Sequence, residues 1–132
     1  MLCLRRALEL WNEGDLGARW IELHDPEVEV TAPEGWPEGT VEPGIEAWRL
    51  QAERLRDSWE KARAEIDEIR PIGEDRVLAR IRYLTEGAAP GISFETPMAV
   101  VAFLKGGRIA RMQFYWEAGD ALEAAERTSS DG

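Results

Sequence analysis

The chain contains one cysteine, one histidine and few lysines. Cys3 is its single thiol among 132 residues, so the sequence can form neither an intrachain disulfide nor a C-x-x-C redox pair nor a cysteine zinc cluster. A reducing cytoplasm suits this composition. His24 is the single histidine, and no acidic cluster is forced onto one inward face, so the sequence predicts no metal site and no cofactor.

Positive charge is also scarce, because 26 acidic residues face 16 basic ones and the net charge is -10. Nucleic-acid binding needs a clustered basic surface, so we expect no nucleic-acid partner. A long apolar run is missing as well: the stretch MLCLRRALELWNEGD is amphipathic and acquires charge by Arg5, which predicts neither a signal peptide nor a membrane span. The excess of arginine over lysine is typical of a GC-rich, bacterial coding sequence.

The residues that are present favour one folded domain. Apolar residues make up 44% of the chain and charged residues 32%, which lies in the range of globular proteins. A length of 132 residues is enough for one core and too short for two ordinary domains. We therefore predict a single domain over residues 1–127 and a polar tail over 128–132 that frays.

The first part of the chain predicts two helices and a strand. Leu4, Leu8 and Trp11 recur at helical spacing, which indicates a helix of about three turns. Asp15 can cap a second helix, which must stop at Asp25-Pro26 because proline disfavours the α region in the residue before it. The alternation in EVEVTA then predicts a strand.

A third helix and four strands are predicted in the remainder. The helix covers about 45–62, with Trp48, Leu55 and Trp59 on its apolar stripe. Period-two alternation between glycine-containing turns predicts strands at about 63–71, 76–86, 93–104 and 108–116, and a short helix near 120–127. Helices early and an antiparallel meander late predict an α+β fold, with helices packed on one face of a sheet.

The strand MAVVAFL (98–104) is apolar on both of its faces. With helices on only one side of the sheet, its second face would be exposed to water, and exposed apolar patches usually mark interfaces. The sequence therefore predicts a homodimer that packs through the outer sheet face, flanked by Arg80, Arg82, Arg111 and Tyr115. The alternative is a monomer with a few outward apolar residues.

Several phrases of this chain occur together in a known superfamily. They are WNEGDL, LHDPEVEV, the Gly44-to-Trp59 helix with its tryptophans, GEDRVLARIR and GGRIARMQFYWEAGDALEAA. From about Leu4 to Ala125 the chain resembles the nuclear transport factor 2-like superfamily, and its SnoaL-like branch in particular. The resemblance implies a cone-shaped fold, in which a curved sheet is closed by helices around a largely apolar pocket, and frequent dimers. It leaves function open, since the superfamily includes isomerases, cyclases, epoxide hydrolases and members that only bind.

The family's best-known catalytic positions carry other residues here. In ketosteroid isomerases a Tyr and two Asp act, and the resemblance places those positions on Ala7, Val30 and Ala99. None of the three can exchange a proton, which argues against an isomerase of that type.

Two further enzyme types fit no better. The Arg and two Asp of limonene-type epoxide hydrolases correspond to Ile81, Tyr83 and Phe114, and the acid of SnoaL polyketide cyclases again corresponds to Phe114. The resemblance therefore favours a protein without the catalytic acids of its relatives, and whether it is an enzyme stays open.

The inward positions predict a pocket for a small hydrophobic or aromatic molecule. Tyr83 would be its polar group and the loop around Trp36 its lid, while Trp11 and Trp48 also face inward. The predicted ligand-binding residues are Trp20, Val30, Trp36, Trp59, Ile81, Tyr83, Val101, Met112, Phe114 and Trp116. If the cone is open, a cavity of about 300 Å3 should remain among Tyr83, Phe114 and Trp116. The alternative is that these bulky side chains fill it and the protein is a ligand-free dimerisation module.

A second alternative is an enzyme of the isomerase, cyclase or hydrolase type that uses Tyr83, His24 and Glu95 for proton transfer. His24 is the natural acid/base candidate, yet a position at a helix end before Asp25-Pro26 favours a surface or capping role. Glu95 and Glu117 are each expected either at the pocket rim or in solvent. An enzyme requires at least one titratable group besides Tyr83 in the cavity.

Overall fold

The computed structural model describes residues 2–33, 35, 41–87 and 93–130. In that part of the chain, four helices and five strands follow one another in the predicted order. The helices are α1 (Leu2–Glu13), α2 (Ala18–Ile21), α3 (Ile45–Asp57) and α4 (Ala118–Ser130). The strands are β1 (His24–Thr31), β2 (Lys61–Ile72), β3 (Arg76–Glu86), β4 (Ser93–Lys105) and β5 (Arg108–Tyr115).

The five strands form one mainly antiparallel sheet in the order β1-β5-β4-β3-β2, with β1 parallel to β5. The pairing of β2 with β3 shifts between Ile66 and Glu68, and that of β4 with β5 shifts between Phe103 and Leu104. Such bulges bend strands and increase their twist, which curves the sheet. The α+β class and the four late strands are confirmed.

The β4–β5 hairpin has the tight turn that the sequence predicts. Gly106 and Gly107 have φ angles of 59° and 79°, a left-handed conformation that glycine adopts without steric cost. Two successive positive φ angles match the twist of the flanking strands. The turn therefore fixes how β4 aligns with β5.

The helix boundaries differ from the sequence predictions. The second helix has four residues and begins after Gly17, because the Asp15 carboxylate accepts the Gly17 N–H in the turn before it. α3 ends at Asp57, five residues early, since β2 begins at Lys61. α4 continues through Ser130, three residues beyond the predicted end of the last helix; residues 131–132 lie outside the described ranges.

The main core lies between one sheet face and helices α1, α2 and α3. Its fully buried side chains include Leu4 and Leu10 from α1 and Val28, Val77 and Ile109 from the sheet. The alternation of β3 is confirmed, because Val77, Ala79 and Ile81 all belong to this core. The three helices thus close one side of the curved sheet.

The other sheet face is covered by α4 rather than left open. Ala121 and Ala125 are buried against Leu78, Ala99 and Val101. β4 is indeed apolar on both faces, but the side predicted to need a partner subunit receives its cover from the same chain. The apolar pattern of MAVVAFL therefore does not by itself require a dimer, and the homodimer stays a prediction.

Candidate ligand-binding cavity

A cavity of about 110 Å3 lies inside the cone. Helices α1, α2 and α3 form one side, the inner sheet face forms the other, and Ala32, Pro33 and Val41 line it beyond the end of β1. The remaining lining residues are Leu4, Ala7, Leu8, Trp11, Trp20, His24, Val30, Trp48, Gln51, Leu55, Ala64, Ile81, Tyr83, Met98, Met112 and Phe114. The walls are almost wholly apolar.

The cavity is smaller than the volume of about 300 Å3 that would mark an open cone, so the cone is partly filled. Aromatic side chains occupy the difference: the ring centroids of Trp20 and Trp48 are 6.2 Å apart, and those of Trp48 and Phe114 are 6.3 Å apart. Trp11 and Tyr83 are likewise 5.8 Å apart. The bulky residues therefore both fill part of the cone and line the space that remains.

Six of the ten predicted ligand-binding residues surround this cavity. They come from α2, β1, β3 and β5, which the fold brings together: Trp20, Val30, Ile81, Tyr83, Met112 and Phe114. The β5 residues project inward because Met112 and Phe114 are two apart in the strand. Another predicted residue, Trp36, lies outside the described residues.

Trp59, Val101 and Trp116 do not line the cavity, and their predicted placement is corrected. Trp59 follows the end of α3 and packs on Phe94, with ring centroids 5.8 Å apart. Val101 lies on the opposite sheet face, against α4. Trp116 comes directly after β5 and is 40% exposed, because the strand ends before the alternation could turn it inward.

Sequence reasoning missed several lining residues. Gln51 is 8% exposed and lines the cavity from α3, and Met98 lines it from β4. The helical spacing from Trp48 to Leu55 could have indicated Gln51, which lies between them on the same side. Met98 was missed because β4 has two apolar faces and the wrong one was assigned inward.

Tyr83 lies at the cavity as predicted, with its hydroxyl engaged. The hydroxyl donates to the Leu55 carbonyl oxygen at 2.7 Å, which links β3 to the last turn of α3. That proton is therefore committed to the protein backbone. The ring, rather than the hydroxyl proton, is what Tyr83 offers to the cavity wall.

His24 is buried in the cavity wall rather than at the surface, and it caps the end of α2 through the Trp20 carbonyl, one of the two roles that the sequence favoured. It is the first residue of β1, only 3% exposed, and its Nδ1 lies 2.8 Å from the Trp20 carbonyl oxygen. Its ring centroid is 4.3 Å from that of Trp20. Burial lowers the pKa of the imidazole below its usual 6.5, and the hydrogen bond to Trp20 opposes this only in part. His24 is therefore neutral at pH 7.

The carboxylates considered at the cavity rim lie at the surface. Glu95 accepts a hydrogen bond from Arg82 at 3.2 Å, within an exposed ion-pair network that also includes Asp67, and Glu117 is exposed. No Asp, Glu, Lys or Arg lines the cavity in the described ranges. Of the proposed proton-transfer set, Tyr83 and His24 share the cavity and Glu95 does not.

The positions matched to catalytic residues of relatives are apolar in the structure too. Ala7 and Val30 line the cavity, whereas Ala99 faces α4, so the inward β4 residue near it is Met98. Ile81 and Phe114 also line it. With the facing of β4 corrected, Met98 replaces Ala99 at this position, and it too is apolar.

The described residues contain neither a candidate metal site nor a candidate membrane-spanning helix. Among them, no three His, Cys, Asp or Glu side chains are grouped so as to hold a metal ion. In the same ranges, no helix combines the length and apolar character needed to cross a membrane.

Solved structures of the same fold were found across nearly the whole chain. Bal32a, from a soil-derived mobile gene cassette, has a TM-score of 0.78 at 20% identity and covers 92% of each chain. TerC, co-crystallized with polyporic acid, has a TM-score of 0.74 at 16% identity, covering 94% of this chain and 95% of that one. A protein with a ketosteroid isomerase-like fold from Catenulispora acidiphila DSM 44928, in complex with trimethylamine, has a TM-score of 0.70 at 17% identity and covers 94% and 92%.

At these identities the similarity establishes the fold alone. A search of curated proteins found no match. The sequence profile of the SnoaL-like domain, however, matches residues 4–112, which include nearly all of α1, both α2 and α3, and most of the sheet. The chain belongs to the SnoaL-like domain family.

Proposed function

We propose that the protein binds a small, uncharged, hydrophobic or aromatic molecule of about one ring in its cavity. The observation that carries the proposal is an apolar space of about 110 Å3 that persists among tightly packed aromatic side chains. No charged side chain lines it within the described residues, so an ion would lose its hydration there without a partner.

The size of the space limits the ligand. An engineered apolar cavity of about 150 Å3 stays dry and binds benzene, and the present cavity is of the same order. Pockets for drug-sized molecules are larger, about 300 Å3 or more. TerC, which shares the fold, was co-crystallized with polyporic acid, so a protein of this fold has been crystallised with a small organic molecule.

Toluene is a suitable first probe. Trp11, Trp20 and Trp48 line the cavity, so occupancy should change tryptophan fluorescence in a saturable way, and calorimetry would give the affinity. Ala7→Leu would fill part of the space from α1, and Ala64→Leu would do so from β2. Ala18→Leu adds the same atoms at an exposed position of α2 and is the matched control.

We expect toluene to bind the wild-type protein and the Ala18→Leu variant, and binding to weaken at least tenfold in whichever cavity variant retains its fold. Circular dichroism identifies the variants that fold. The proposal fails if toluene does not bind up to its solubility, which would favour a ligand-free module. It fails equally if both folded cavity variants bind as the wild type does.

Proton transfer is a second candidate function, favoured by the buried neutral His24 in the cavity. A cyclic ketone such as cyclopentanone tests it directly: a base removes the α proton, and the enolate takes back deuterium from D2O. NMR should show protein-dependent exchange that His24→Asn abolishes and Glu95→Gln leaves intact, because Glu95 lies at the surface. Exchange no faster than in buffer would exclude this activity for that ketone.

A further inference from the structure

Two polar groups of the cavity wall have unused hydrogen-bonding capacity. One is the His24 imidazole, whose Nδ1 is engaged with Trp20. The other is the Trp48 indole, whose Nε1 is buried without a hydrogen-bond partner among the described residues. Both side chains line the same cavity, on β1 and on α3. One group accepts a hydrogen bond and the other donates one, and together they define the polar group that a ligand must carry.

The Trp20 carbonyl fixes the tautomer of His24. A carbonyl oxygen can only accept, so the hydrogen bond of 2.8 Å requires the proton on Nδ1. In a neutral imidazole the other nitrogen, Nε2, then carries a lone pair. None of the described residues donates a hydrogen bond to Nε2. Nε2 is therefore an unused acceptor on a residue that lines the cavity.

Trp48 supplies a hydrogen-bond donor. Its side chain is 9% exposed, and an indole N–H is a donor only. Leaving a buried donor without an acceptor is unfavourable, so buried indole N–H groups usually find one. Trp11 shows the usual solution, since its Nε1 donates to the Ala52 carbonyl oxygen at 2.9 Å. Trp48 has no such bond in the described ranges.

We infer that the cavity selects a neutral ring with a hydroxyl group, such as a phenol, whose O–H donates to His24 Nε2 and whose oxygen accepts from the Trp48 indole N–H. A hydroxyl group can donate one hydrogen bond and accept others, so a single such group carries both the donor that His24 lacks and the acceptor that Trp48 lacks. The inference rests on the proposed function and adds the ligand's polar group to its apolar body.

The same groups exclude related molecules. Toluene fits the apolar walls but leaves both polar groups without partners. Benzoate lacks a proton to donate to Nε2, and no Lys or Arg lines the cavity in the described ranges to neutralise it. A site that bonds a substrate hydroxyl discriminates strongly against analogues without it.

Other titratable groups near His24 do not alter this arrangement. Tyr83 is the other titratable residue of the described lining, and its hydroxyl donates to Leu55. The Asp25 carboxylate, next in the chain, accepts the Glu27 N–H at 2.8 Å, and Glu22 is exposed. On β5, His24 is paired with the apolar Ile109.

Phenol, toluene and benzoate are compared by calorimetry at pH 7.5. We expect phenol to bind about tenfold more tightly than toluene, which is the order of one to two net hydrogen bonds, and benzoate not to bind measurably. Because His24 is the single histidine, its imidazole nitrogen signals in NMR are unambiguous, and phenol should shift the Nε2 signal more than the Nδ1 signal.

Two variants assign the discrimination to these residues. In His24→Asn the amide N–H takes the place of the Nδ1–H toward Trp20, while the Nε2 acceptor is lost. Trp48→Phe keeps an aromatic ring and removes the indole N–H. Each should lower the phenol-to-toluene affinity ratio about threefold to tenfold, whereas a purely structural loss would weaken both ligands alike and leave the ratio unchanged.

The outcomes separate this inference from the proposed function. If toluene and phenol bind equally to the wild type, or if the affinity ratio survives in both folded variants, the inference is wrong while the apolar site stands. Tighter binding of benzoate than of phenol would also overturn it. If none of the three probes binds, the proposed function itself fails.

Discussion

Asn12 holds the backbone of Ala64 through a pair of hydrogen bonds. Its amide nitrogen donates to the Ala64 carbonyl oxygen at 2.8 Å, and its amide oxygen accepts the Ala64 N–H at 2.8 Å. β2 is an edge strand, whose outward backbone groups would otherwise be unpaired. The end of α1 is thereby attached to the sheet next to the cavity wall, to which Ala64 belongs.

Replacing Asn12 by alanine should destabilise the protein by about 1–3 kcal/mol, the net value of two hydrogen bonds. Urea denaturation measures the change. Asn12→Asp keeps the acceptor for the Ala64 N–H but sets a carboxylate oxygen against the Ala64 carbonyl oxygen, so it should also destabilise the protein. An unchanged midpoint in Asn12→Ala would mean that water replaces both bonds without loss.

The buried His24 should make stability depend on pH below about 6.5. Burial lowers its folded-state pKa, so between that value and 6.5 the unfolded chain binds more protons than the folded one. Its contribution is therefore fully present above pH 6.5 and is lost as pH falls toward the folded pKa. We expect the free energy of unfolding to decrease in this window.

His24→Asn isolates that contribution, because the carboxylates titrate alike in both proteins. The difference in unfolding free energy between wild type and variant should shrink as pH falls from 7 to 5. A difference that stays constant over this range would show that His24 titrates normally in the folded protein. Asp15 falls outside the window, since Arg19 holds its pKa below 3.8.

The homodimer through the outer sheet face remains a prediction for the surface that α4 leaves uncovered. Leu84 of β3 lies there, beside the Arg82 ion pairs. Sedimentation should give a mass of about twice 14.9 kDa for the wild type and a monomer for Leu84→Asp. Leu50→Asp, at an exposed apolar residue of α3, is the matched control and should stay dimeric. A monomeric wild type would refute the prediction.

The strands were predictable because their signals are local. Alternation and glycine turns placed β3, β4 and β5 within one residue at each end. The end of α3 was not, since Trp59 continues the helical stripe although the chain has already left the helix. Apolar spacing reports which side chains want burial, not which element they belong to.

The candidate site was only partly predictable. Trp20, Val30 and Phe114 point inward by periodicity. The burial of His24, which lowers its pKa, depends instead on where α2 ends, and Pro26 sets only the latest residue at which that helix can stop. The facing of β4 could not be decided, because Met98 and Ala99 represent two equally apolar faces. Cavity volume is what packing leaves over, and no local pattern encodes it.

Because both faces of β4 are apolar, the β4–β5 turn also determines which residues of β4 face the cavity. In most strands a slip of one residue is prevented by the polar side chains it would bury, but in β4 it would exchange Val100 and Ala102 for Val101 and Ala99 at little hydrophobic cost. Alignment with β5 then depends on Gly106 and Gly107. A single residue inserted between those glycines would therefore change which β4 residue faces the cavity, although no lining residue is itself substituted.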